Sequence, residues 1–337
     1  MSAEVSKPPL LGLGGVTKRF GHPIGPVNLL LNRLGASHTD SYVYAVNDIN
    51  LQVASGEVVG LVGESGCGKS TLGRLAVGLL SPDSGHRTWR GKDVQSMSSE
   101  EQRKIRLSVQ MIFQDPYASL NPRLRAIDSV TEAPIYHGLV EAKNKLEFAQ
   151  SIFSKVGLSS ELMERYPHQL SGGQRSRLGI ARALAVNPEF LVCDEAVAAL
   201  DVSIQAQVLN LLIKLRSEGD LTYLFISHDL GVVRHLTDRV VIMYLGRVVE
   251  QGLTAELFSY ANHPYTGALL AEMPVIRLQR KTFNPVKGEI PSPMHPPTGC
   301  HFHPRCPHAF KRCEQEAPSL VEVAPGHLSA CHLNDLK

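Results

Sequence analysis

A glycine-rich segment with one lysine has the residue types that hold the phosphate groups of a nucleotide. It consists of Gly63, Glu64, Ser65, Gly66, Cys67, Gly68, Lys69, Ser70 and Thr71. It follows the apolar run 57–63 and precedes the helical pattern 71–80, which is the context of a phosphate-binding loop. Glycines let the backbone wrap round phosphate oxygens, and N–H groups at a helix start favour their charge. We predict that Lys69 contacts the β- and γ-phosphates and that the Ser70 hydroxyl binds Mg²⁺.

Two neighbouring carboxylates end another apolar run. Asp194 and Glu195 follow the run 190–193, and ligands bind outside the carboxyl ends of the strands in open α/β sheets. Asp194 then suits a Mg²⁺ ligand, and Glu195 suits a base that polarises an attacking water. Acidic pairs are also common at solvated strand ends, so this assignment depends on the phosphate-binding loop upstream.

A second helix start also has phosphate-binding character. Leu170, Ser171, Gly172, Gly173 and Gln174 lie just before the helical pattern 174–185, and Leu170 is 24 residues before Asp194. A serine followed by glycines caps a helix and exposes its first N–H groups to an anion. One domain cannot easily close both helix starts on the same nucleotide.

Apolar runs alternate with helical patterns over most of the chain, which indicates an α/β domain. The runs 57–63, 190–195, 221–229 and 239–246 are predicted buried strands, and 179–186 and 205–215 are predicted helices. Residues 16–20 and 45–53 are predicted as two earlier strands, joined by the polar connection 21–44. That connection is long for a hairpin loop. It is either a surface insertion or a partner contact through residues 28–34.

Charge and hydropathy exclude several classes of protein. The 337 residues contain 34 Lys and Arg against 32 Asp and Glu, so the net charge is only +2, which gives no sequence-wide case for nucleic acid as a partner. No apolar run approaches the 18 to 20 residues that span a bilayer, and the first residues lack the pattern of a signal peptide. We expect a soluble intracellular chain of about two domains.

The phosphate-binding loop, the LSGGQ segment, the acidic strand end and a later strand that ends in histidine together resemble the ABC ATPase family. The order and spacing fit at Lys69, Gln114, Ser171, Asp194, Asp201 and His228. The resemblance implies an α/β P-loop NTPase over residues 10–258, with a RecA-like core, an antiparallel β subdomain and a helical subdomain at about 115–180. It also implies a head-to-tail dimer in which each ATP lies between the phosphate loop of one subunit and Ser171, Gly172, Gly173, Gln174 and Asp201 of the other.

The resemblance assigns a role to each of the remaining positions. Gln114 is similar to the glutamine that is a Mg²⁺ ligand and senses the γ-phosphate. His228 is similar to the histidine that contacts the γ-phosphate and the attacking water. Phe20 is the candidate for stacking on adenine, with Tyr44 as the second candidate and a core-facing position as the alternative for Phe20. One departure is Ala198, where the family usually has serine. Losing that hydroxyl removes a hydrogen bond across the dimer. The two composite sites, meaning the two ATP sites formed between the subunits, then need not be equal.

Residues 259–337 differ in composition, since 11 of the 21 prolines and four of the six cysteines lie beyond residue 260. The segments 288–293 and 296–307 are similar to the C-terminal extension of oligopeptide, dipeptide and nickel importer ATPases, nearest the dipeptide or oligopeptide F-type subunit. The resemblance implies four partners: a second related ATPase subunit, two transmembrane permease subunits and a substrate-binding protein outside the cell. The implied location is peripheral, on the cytoplasmic face of the inner membrane.

The implied function is ATP hydrolysis that powers import of di- and oligopeptides, without nucleic acid as a partner. Import of nickel or glutathione stays open, because substrate choice lies in the binding protein and the permeases. A soluble ABC ATPase acting on nucleic acid or the ribosome is the remote alternative. Against it stand the absence of heptads and the 101-residue separation of Lys69 from Leu170.

Four cysteines in the extension form a candidate metal site. They are Cys300, Cys306, Cys313 and Cys331. Their spacing of five, six and 17 intervening residues matches neither the short zinc pairs nor the bacterial ferredoxin pattern. Three outcomes stay open: a [4Fe–4S] cluster, zinc with help from histidines 301, 303, 308, 327 and 332, or unligated thiols. Some members of the resembled subgroup have a [4Fe–4S] cluster at such cysteines, and a cluster is our prediction.

Overall fold

The computed structural model describes residues 9–22, 41–198, 200–219, 221–273 and 288–336. The proposed partner contact at 28–34 lies outside these residues. The described strands are β1 Leu11–His22, β2 Ser41–Val53, β3 Val58–Val62, β4 Ser84–Trp89, β5 Lys92–Asp93, β6 Val109–Ile112, β7 Phe190–Asp194, β8 Thr222–Ile226, β9 Arg239–Tyr244, β10 Arg247–Leu253, β11 Val321–Ala324 and β12 His327–Ser329.

Helices alternate with these strands. The described α-helices are α1 Lys69–Val77, α2 Ser99–Ser108, α3 Pro116–Ser119, α4 Ala126–Tyr136, α5 Lys145–Lys155, α6 Gly172–Leu184, α7 Val202–Gly219, α8 Leu230–Leu236, α9 Thr254–Ser259, α10 Pro264–Ala271 and α11 Lys311–Gln315. Short 3₁₀ turns lie at Val94–Ser96, Ala142–Asn144, Ser160–Leu162, Pro167–Gln169, His303–Arg305 and His332–Leu336.

The larger sheet has the order β11-β12-β10-β9-β3-β8-β7-β6 among the described strands. Its central strands are parallel, with β3 between β8 and β9, and β7 between β8 and β6. Every residue of β3, β7 and β8 is buried, which explains why these strands are continuous apolar runs. Parallel strands end at the same edge, so the loops after β3, β6, β7 and β8 meet there.

Side chains of the central strands alternate between two hydrophobic clusters, one on each face of the sheet. In β7, Leu191 and Cys193 belong to the cluster that includes α4, α5 and α6, called the helical cluster. Phe190 and Val192 belong to the cluster that includes α1, β1 and β2. The helical cluster includes Phe153 of α5 and Leu178 of α6. The predicted helical region is thereby packed against the sheet, and its last helix ends at Leu184, close to the predicted limit of 180.

The smaller sheet is antiparallel, with the order β2-β1-β4-β5. It confirms the predicted β subdomain, but its first two strands are longer than the predicted 16–20 and 45–53. Pairing continues outward through Phe20 with Val43 to His22 with Ser41. The predicted connection 21–44 therefore includes strand residues at both ends, which cross-strand pairing stabilises.

The C-terminal extension continues the larger sheet. Strand β12 pairs with β10 through Glu250 with Ser329, and β11 adds a further strand beyond it. The carboxylate of Glu250 is fully buried and accepts hydrogen bonds from the backbone N–H groups of Asn262 and His263, at 2.7 and 3.1 Å. Nε2 of His327 lies 2.7 Å from the same carboxylate. The extension is thus joined to the rest of the chain by a sheet and a buried polar cluster.

Candidate functional site

The phosphate-binding loop connects β3 to α1, as the sequence predicts. Gly68 caps α1 without a side-chain hydrogen bond, so no side chain occupies the first N–H groups of the helix. Its φ is +106°, and a Cβ there would lie 1.9 Å from the carbonyl oxygen of Ala45. This position therefore requires glycine. The helix start is the arrangement that binds an anion.

Lys69 lies inside this loop. Its Nζ donates hydrogen bonds to the carbonyl oxygens of Gly63 at 2.7 Å and Glu64 at 3.0 Å, and the residue is 5% exposed. A third contact joins Nζ to Sγ of Cys67 at 3.9 Å, so the buried ammonium has no carboxylate partner among its hydrogen bonds in the part of the chain that the structure describes. Phosphate oxygens supply the negative charge that such a group needs.

The hydroxyl of Ser70 and the carboxylate of Asp194 meet at the edge of the sheet. Ser70 Oγ donates to Asp194 Oδ1 at 2.8 Å. Burial raises the pKa of Asp194, and the hydrogen bond from Ser70 opposes that rise. Hydroxyl and carboxylate oxygens are the ligands that Mg²⁺ prefers, together with phosphate and water. These two residues fit a Mg²⁺ site at the position predicted from the sequence.

Three of the predicted residues meet at one point, because Gln114 and His228 both contact the carboxylate of Glu195. Gln114 Nε2 donates to Glu195 Oε2 at 2.7 Å, and Nδ1 of His228 lies 3.4 Å from Glu195 Oε1. Glu195 has a left-handed backbone with φ +46°, held by a 3.0 Å hydrogen bond from its N–H to the carbonyl of Ile226. Strained backbone of this kind is concentrated at functional sites. Gln114, predicted as a Mg²⁺ ligand, here contacts Glu195.

The LSGGQ segment forms the predicted helix start. The Oγ of Ser171 accepts from the N–H of Gln174 at 3.3 Å, and the N–H of Ser171 donates to Gln174 Oε1 at 2.9 Å. A Cβ at Gly173 would lie 2.6 Å from Cγ2 of Ile204 in α7, so glycine permits close packing there. Asp201 and Ala198 are exposed. The segment is therefore a preformed helix start beside an accessible loop.

Both candidate adenine-stacking residues are accessible on the small sheet. Phe20 is 44% exposed and Tyr44 is 38% exposed, so the core-facing alternative for Phe20 is wrong. The ammonium of Lys18 lies 5.9 Å from the centre of the Phe20 ring. The backbone next to Tyr44 approaches the phosphate loop, since the Ala45 carbonyl lies against Gly68.

Sequence reasoning missed two contacts between the extension and the phosphate loop. The guanidinium of Arg305 donates two hydrogen bonds to the carboxylate of Glu64, at 2.7 and 2.8 Å. The hydroxyl of Tyr265 accepts from the N–H of Glu64 at 2.9 Å. A carboxylate inside a phosphate-binding loop was the available signal, because it needs a counter-charge.

The four cysteines of the extension do not form a metal site in the structure. The pKa of Cys331 is raised to about 11, mainly by burial and to a smaller extent by the other three cysteines, so the thiols are near one another. Among the residues that the structure describes, however, no group of three or more His, Cys, Asp or Glu side chains is arranged to hold a metal ion. The predicted [4Fe–4S] cluster and the zinc alternative are therefore unsupported by this geometry.

Several histidines of the zinc alternative have other partners. His327 is paired with Glu250, and Nε2 of His332 lies 2.9 Å from the carbonyl oxygen of Glu316. Nδ1 of His301 lies 3.2 Å from the carbonyl oxygen of Leu245.

Within the described ranges, no helix is both long enough and apolar enough to cross a membrane.

A site of this kind on a parallel sheet defines a P-loop nucleotide hydrolase, and comparison with known proteins identifies the family. Residues 46–198 match the ABC transporter family, and residues 249–313 match the C-terminal region of oligopeptide/dipeptide transporters. The chain belongs to the ATP-binding subunits of ABC transporters, in the oligopeptide and dipeptide transporter family.

Similar proteins cover nearly the whole chain. It is 48% identical over 296 residues to the oligopeptide transport ATP-binding protein AppF of Bacillus subtilis, covering 86% of this chain and 90% of AppF. It is 45% identical over 291 residues to OppF of Haemophilus influenzae, covering 85% and 88% of the two chains. A putative peptide import ATP-binding protein of Brucella ovis is 43% identical over 328 residues, covering 97% and 98%.

Solved structures confirm the fold class. The dimeric post-hydrolysis structure of the ATP-binding cassette MJ0796, bound to ADP and Pi, is 28% identical with a TM-score of 0.61. It covers 72% of this chain and 98% of its own. CbiO1 of Clostridium perfringens, part of the ABC transporter complex cbiONQ, is 27% identical with a TM-score of 0.60, covering 74% and 91%.

Proposed function

We propose that this chain hydrolyses ATP to power import of di- and oligopeptides through an ABC transporter. The observation that carries the proposal is the convergence of Gln114 and His228 on the carboxylate of Glu195, beside the Ser70–Asp194 pair and a buried lysine. Catalysis at such a site is mainly positioning and charge neutralisation. The C-terminal region shared with oligopeptide and dipeptide transporters supports a peptide as the transported solute.

In this proposal the residues of the site divide the binding and hydrolysis of ATP between them. The loop from Gly63 to Thr71 binds the phosphates, with Lys69 neutralising charge on the β- and γ-phosphates. Ser70 and Asp194 hold Mg²⁺, which screens the phosphate charge when it is bound. Glu195 polarises the attacking water, while Gln114 and His228 orient the Glu195 carboxylate and contact the γ-phosphate. Phe20 is our candidate for stacking on adenine, ahead of Tyr44, because both rings are accessible but Phe20 fits the family motif.

We further propose that the site is completed by a second, related ATPase subunit. Ser171 and its neighbours form a preformed helix start, and the exposed Asp201 and Ala198 lie beside it. The dimeric structures of MJ0796 support closure of two cassettes on nucleotide. In a heterodimer whose other subunit has serine at this position, the alanine at 198 makes the two composite ATP sites unequal. We also propose that residues 10–258 form the ATPase domain and that residues 259–337 form the extension.

The proposed transporter also has two permease subunits, which contact the helical region, and an external substrate-binding protein. An open groove between α2 and α4 is lined by Arg103, Arg106, Tyr136 and His137, and Tyr136 is 81% exposed. A large exposed aromatic side chain beside arginines is typical of a protein interface. The chain then lies peripherally at the cytoplasmic face of the inner membrane.

A genetic experiment tests the transported solute. In an amino-acid auxotroph that lacks the gene, we expect no growth on a dipeptide or tripeptide as the source of that amino acid. The wild-type gene restores growth, whereas Lys69→Ala does not, because the phosphate loop loses its cation. Unchanged peptide growth together with a defect in nickel-dependent or glutathione-dependent growth contradicts the peptide assignment and favours the alternative importer.

We retain the [4Fe–4S] cluster as a proposal for the four clustered thiols. Protein purified without oxygen is expected to be brown, with about four iron and four sulfide per chain. Replacing Cys300, Cys306, Cys313 and Cys331 with serine removes the iron, whereas Cys67→Ser keeps it. A colourless, iron-free preparation contradicts the cluster and leaves the ATPase assignment unaffected.

A further inference from the structure

Glu64 is held at all three of its polar groups. Its N–H donates to the hydroxyl of Tyr265, its carbonyl oxygen accepts from Nζ of Lys69, and its carboxylate accepts two hydrogen bonds from Arg305. Two of these partners, Tyr265 and Arg305, come from beyond residue 258. The C-terminal extension therefore contacts a residue of the phosphate loop directly, 241 positions away in the sequence.

Arg305 is built into this position. Its side chain is 5% exposed, and its guanidinium lies 5.8 Å from the Tyr244 ring and 6.0 Å from the Phe302 ring. Its Nη1 also donates to the Tyr244 hydroxyl at 3.3 Å, while Nε has no partner among the residues that the structure describes. A bidentate guanidinium–carboxylate pair is the strongest common form of ion pair. Hydrogen bonding to Glu64 raises the pKa of Arg305, so the guanidinium stays charged.

The charge of Glu64 is close enough to matter for a bound triphosphate. Its carboxylate raises the pKa of the Cys67 thiol, in the middle of the same loop, although burial is the larger cause. An unpaired carboxylate within this loop repels bound phosphates, and the repulsion is strong in a partly buried site. A cation fixed on Glu64 removes that repulsion.

We propose that Arg305 of the C-terminal extension is a positioning residue for nucleotide binding, which neutralises the Glu64 carboxylate so that the phosphate loop accepts ATP. Arg305 acts through Glu64 and does not itself touch the nucleotide. The extension is thereby part of the nucleotide site. This inference rests on the nucleotide site of the proposed function and is independent of the transported solute.

The test measures the affinity of the purified full chain for ATP, ADP and adenosine by titration calorimetry in four forms: wild type, Arg305→Met, Glu64→Gln and the double variant. Arg305→Met weakens ATP binding about tenfold, the order expected for one unit charge at about 10 Å near a protein surface. The loss is smaller for ADP and absent for adenosine, and it shrinks in high salt. Glu64→Gln binds ATP more tightly than wild type, because the unpaired Arg305 then adds a positive charge beside the phosphate loop.

The double variant decides between charge and structure. With Glu64 neutral, loss of Arg305 has no unpaired carboxylate to expose, so ATP affinity returns to within about threefold of wild type. Double-variant binding as weak as that of Arg305→Met, or wild-type binding by Arg305→Met, overturns the proposal.

A folding failure of Arg305→Met still leaves a decisive comparison. The double variant and Arg305→Lys, which keeps the charge, are then each compared with wild type, and Glu64→Gln is compared with the double variant. Affinities of the first two within about threefold of wild type, with Glu64→Gln tighter than the double variant, support the proposal. A tenfold loss in either of the first two, or equal affinities of Glu64→Gln and the double variant, contradicts it. Lys69→Ala serves as the control for the nucleotide site: if wild type itself fails to bind ATP, the proposed function fails, whereas a silent Arg305→Met in an ATP-binding chain refutes only this inference.

Discussion

Glu195→Gln is expected to reduce ATP hydrolysis by the assembled transporter at least 100-fold while ATP binding stays near the wild-type level. Positioned general bases contribute about 10²- to 10⁴-fold to a rate. The amide keeps the size of the side chain and leaves the Ser70–Asp194 pair intact, but it cannot polarise the attacking water as a carboxylate does. Steady-state phosphate release measures the rate, and a titration with ATP in the presence of Mg²⁺ measures binding.

Glu218→Gln is a matched control for that experiment. Glu218 is exposed at the end of α7 in an i, i+4 pair with Lys214, and surface pairs of this kind contribute little. The control should hydrolyse ATP at the wild-type rate. Wild-type turnover by Glu195→Gln would remove Glu195 from the role of base, and equal loss in both variants would indicate general damage.

His327→Ala is expected to lower the stability of the chain by about 3 kcal/mol, because it removes a partner of a buried carboxylate. Glu250 keeps its two backbone hydrogen bonds but loses the contact with Nε2, and the cavity left by the ring adds to the cost. The melting temperature should fall by about 5–10 °C. Amide exchange of β12, which pairs with β10, should become faster than that of the central strands.

His308→Ala provides the comparison within the same extension, since His308 is exposed. It should melt within about 1 °C of wild type, as substitutions of exposed residues usually do. A melting temperature of His327→Ala equal to that of His308→Ala would show that the Glu250 cluster does not hold the extension to the sheet.

Local patterns were sufficient for the parts of the site that lie within one segment. The phosphate loop and the Ser171 helix start are set by glycines and a capping serine next to each other, so their structure follows from a few consecutive residues. The strands β3, β7 and β8 are buried on both faces, and their apolar runs are visible without any knowledge of their partners. The grouping of Gln114, His228 and Glu195 followed from the family resemblance and from the shared edge of parallel strands.

Contacts between distant segments were not visible in the sequence. The ends of β1 and β2 were placed in a polar connection although Tyr42, Val43 and Tyr44 are residue types that favour strands, because the sequence does not show that the two ends pair. The pairing of β12 with β10 and the ion pair of Arg305 with Glu64 join residues far apart in the chain. Composition identified a proline-rich extension but not its role in the sheet. The number of cysteines likewise predicted metal ligands. Whether they bind a metal depends on how the thiols are arranged in space, which the number does not show.

The most direct test of the central claim is peptide uptake by proteoliposomes that contain this chain, its proposed partner ATPase and the two permeases. Labelled peptide is supplied outside with the binding protein, and ATP is enclosed on the side of the ATPase subunits. We predict uptake that requires hydrolysable ATP and that is lost with Glu195→Gln but kept with Glu218→Gln. Peptide uptake that continues unchanged with Glu195→Gln, or uptake that needs no ATP, would contradict this account.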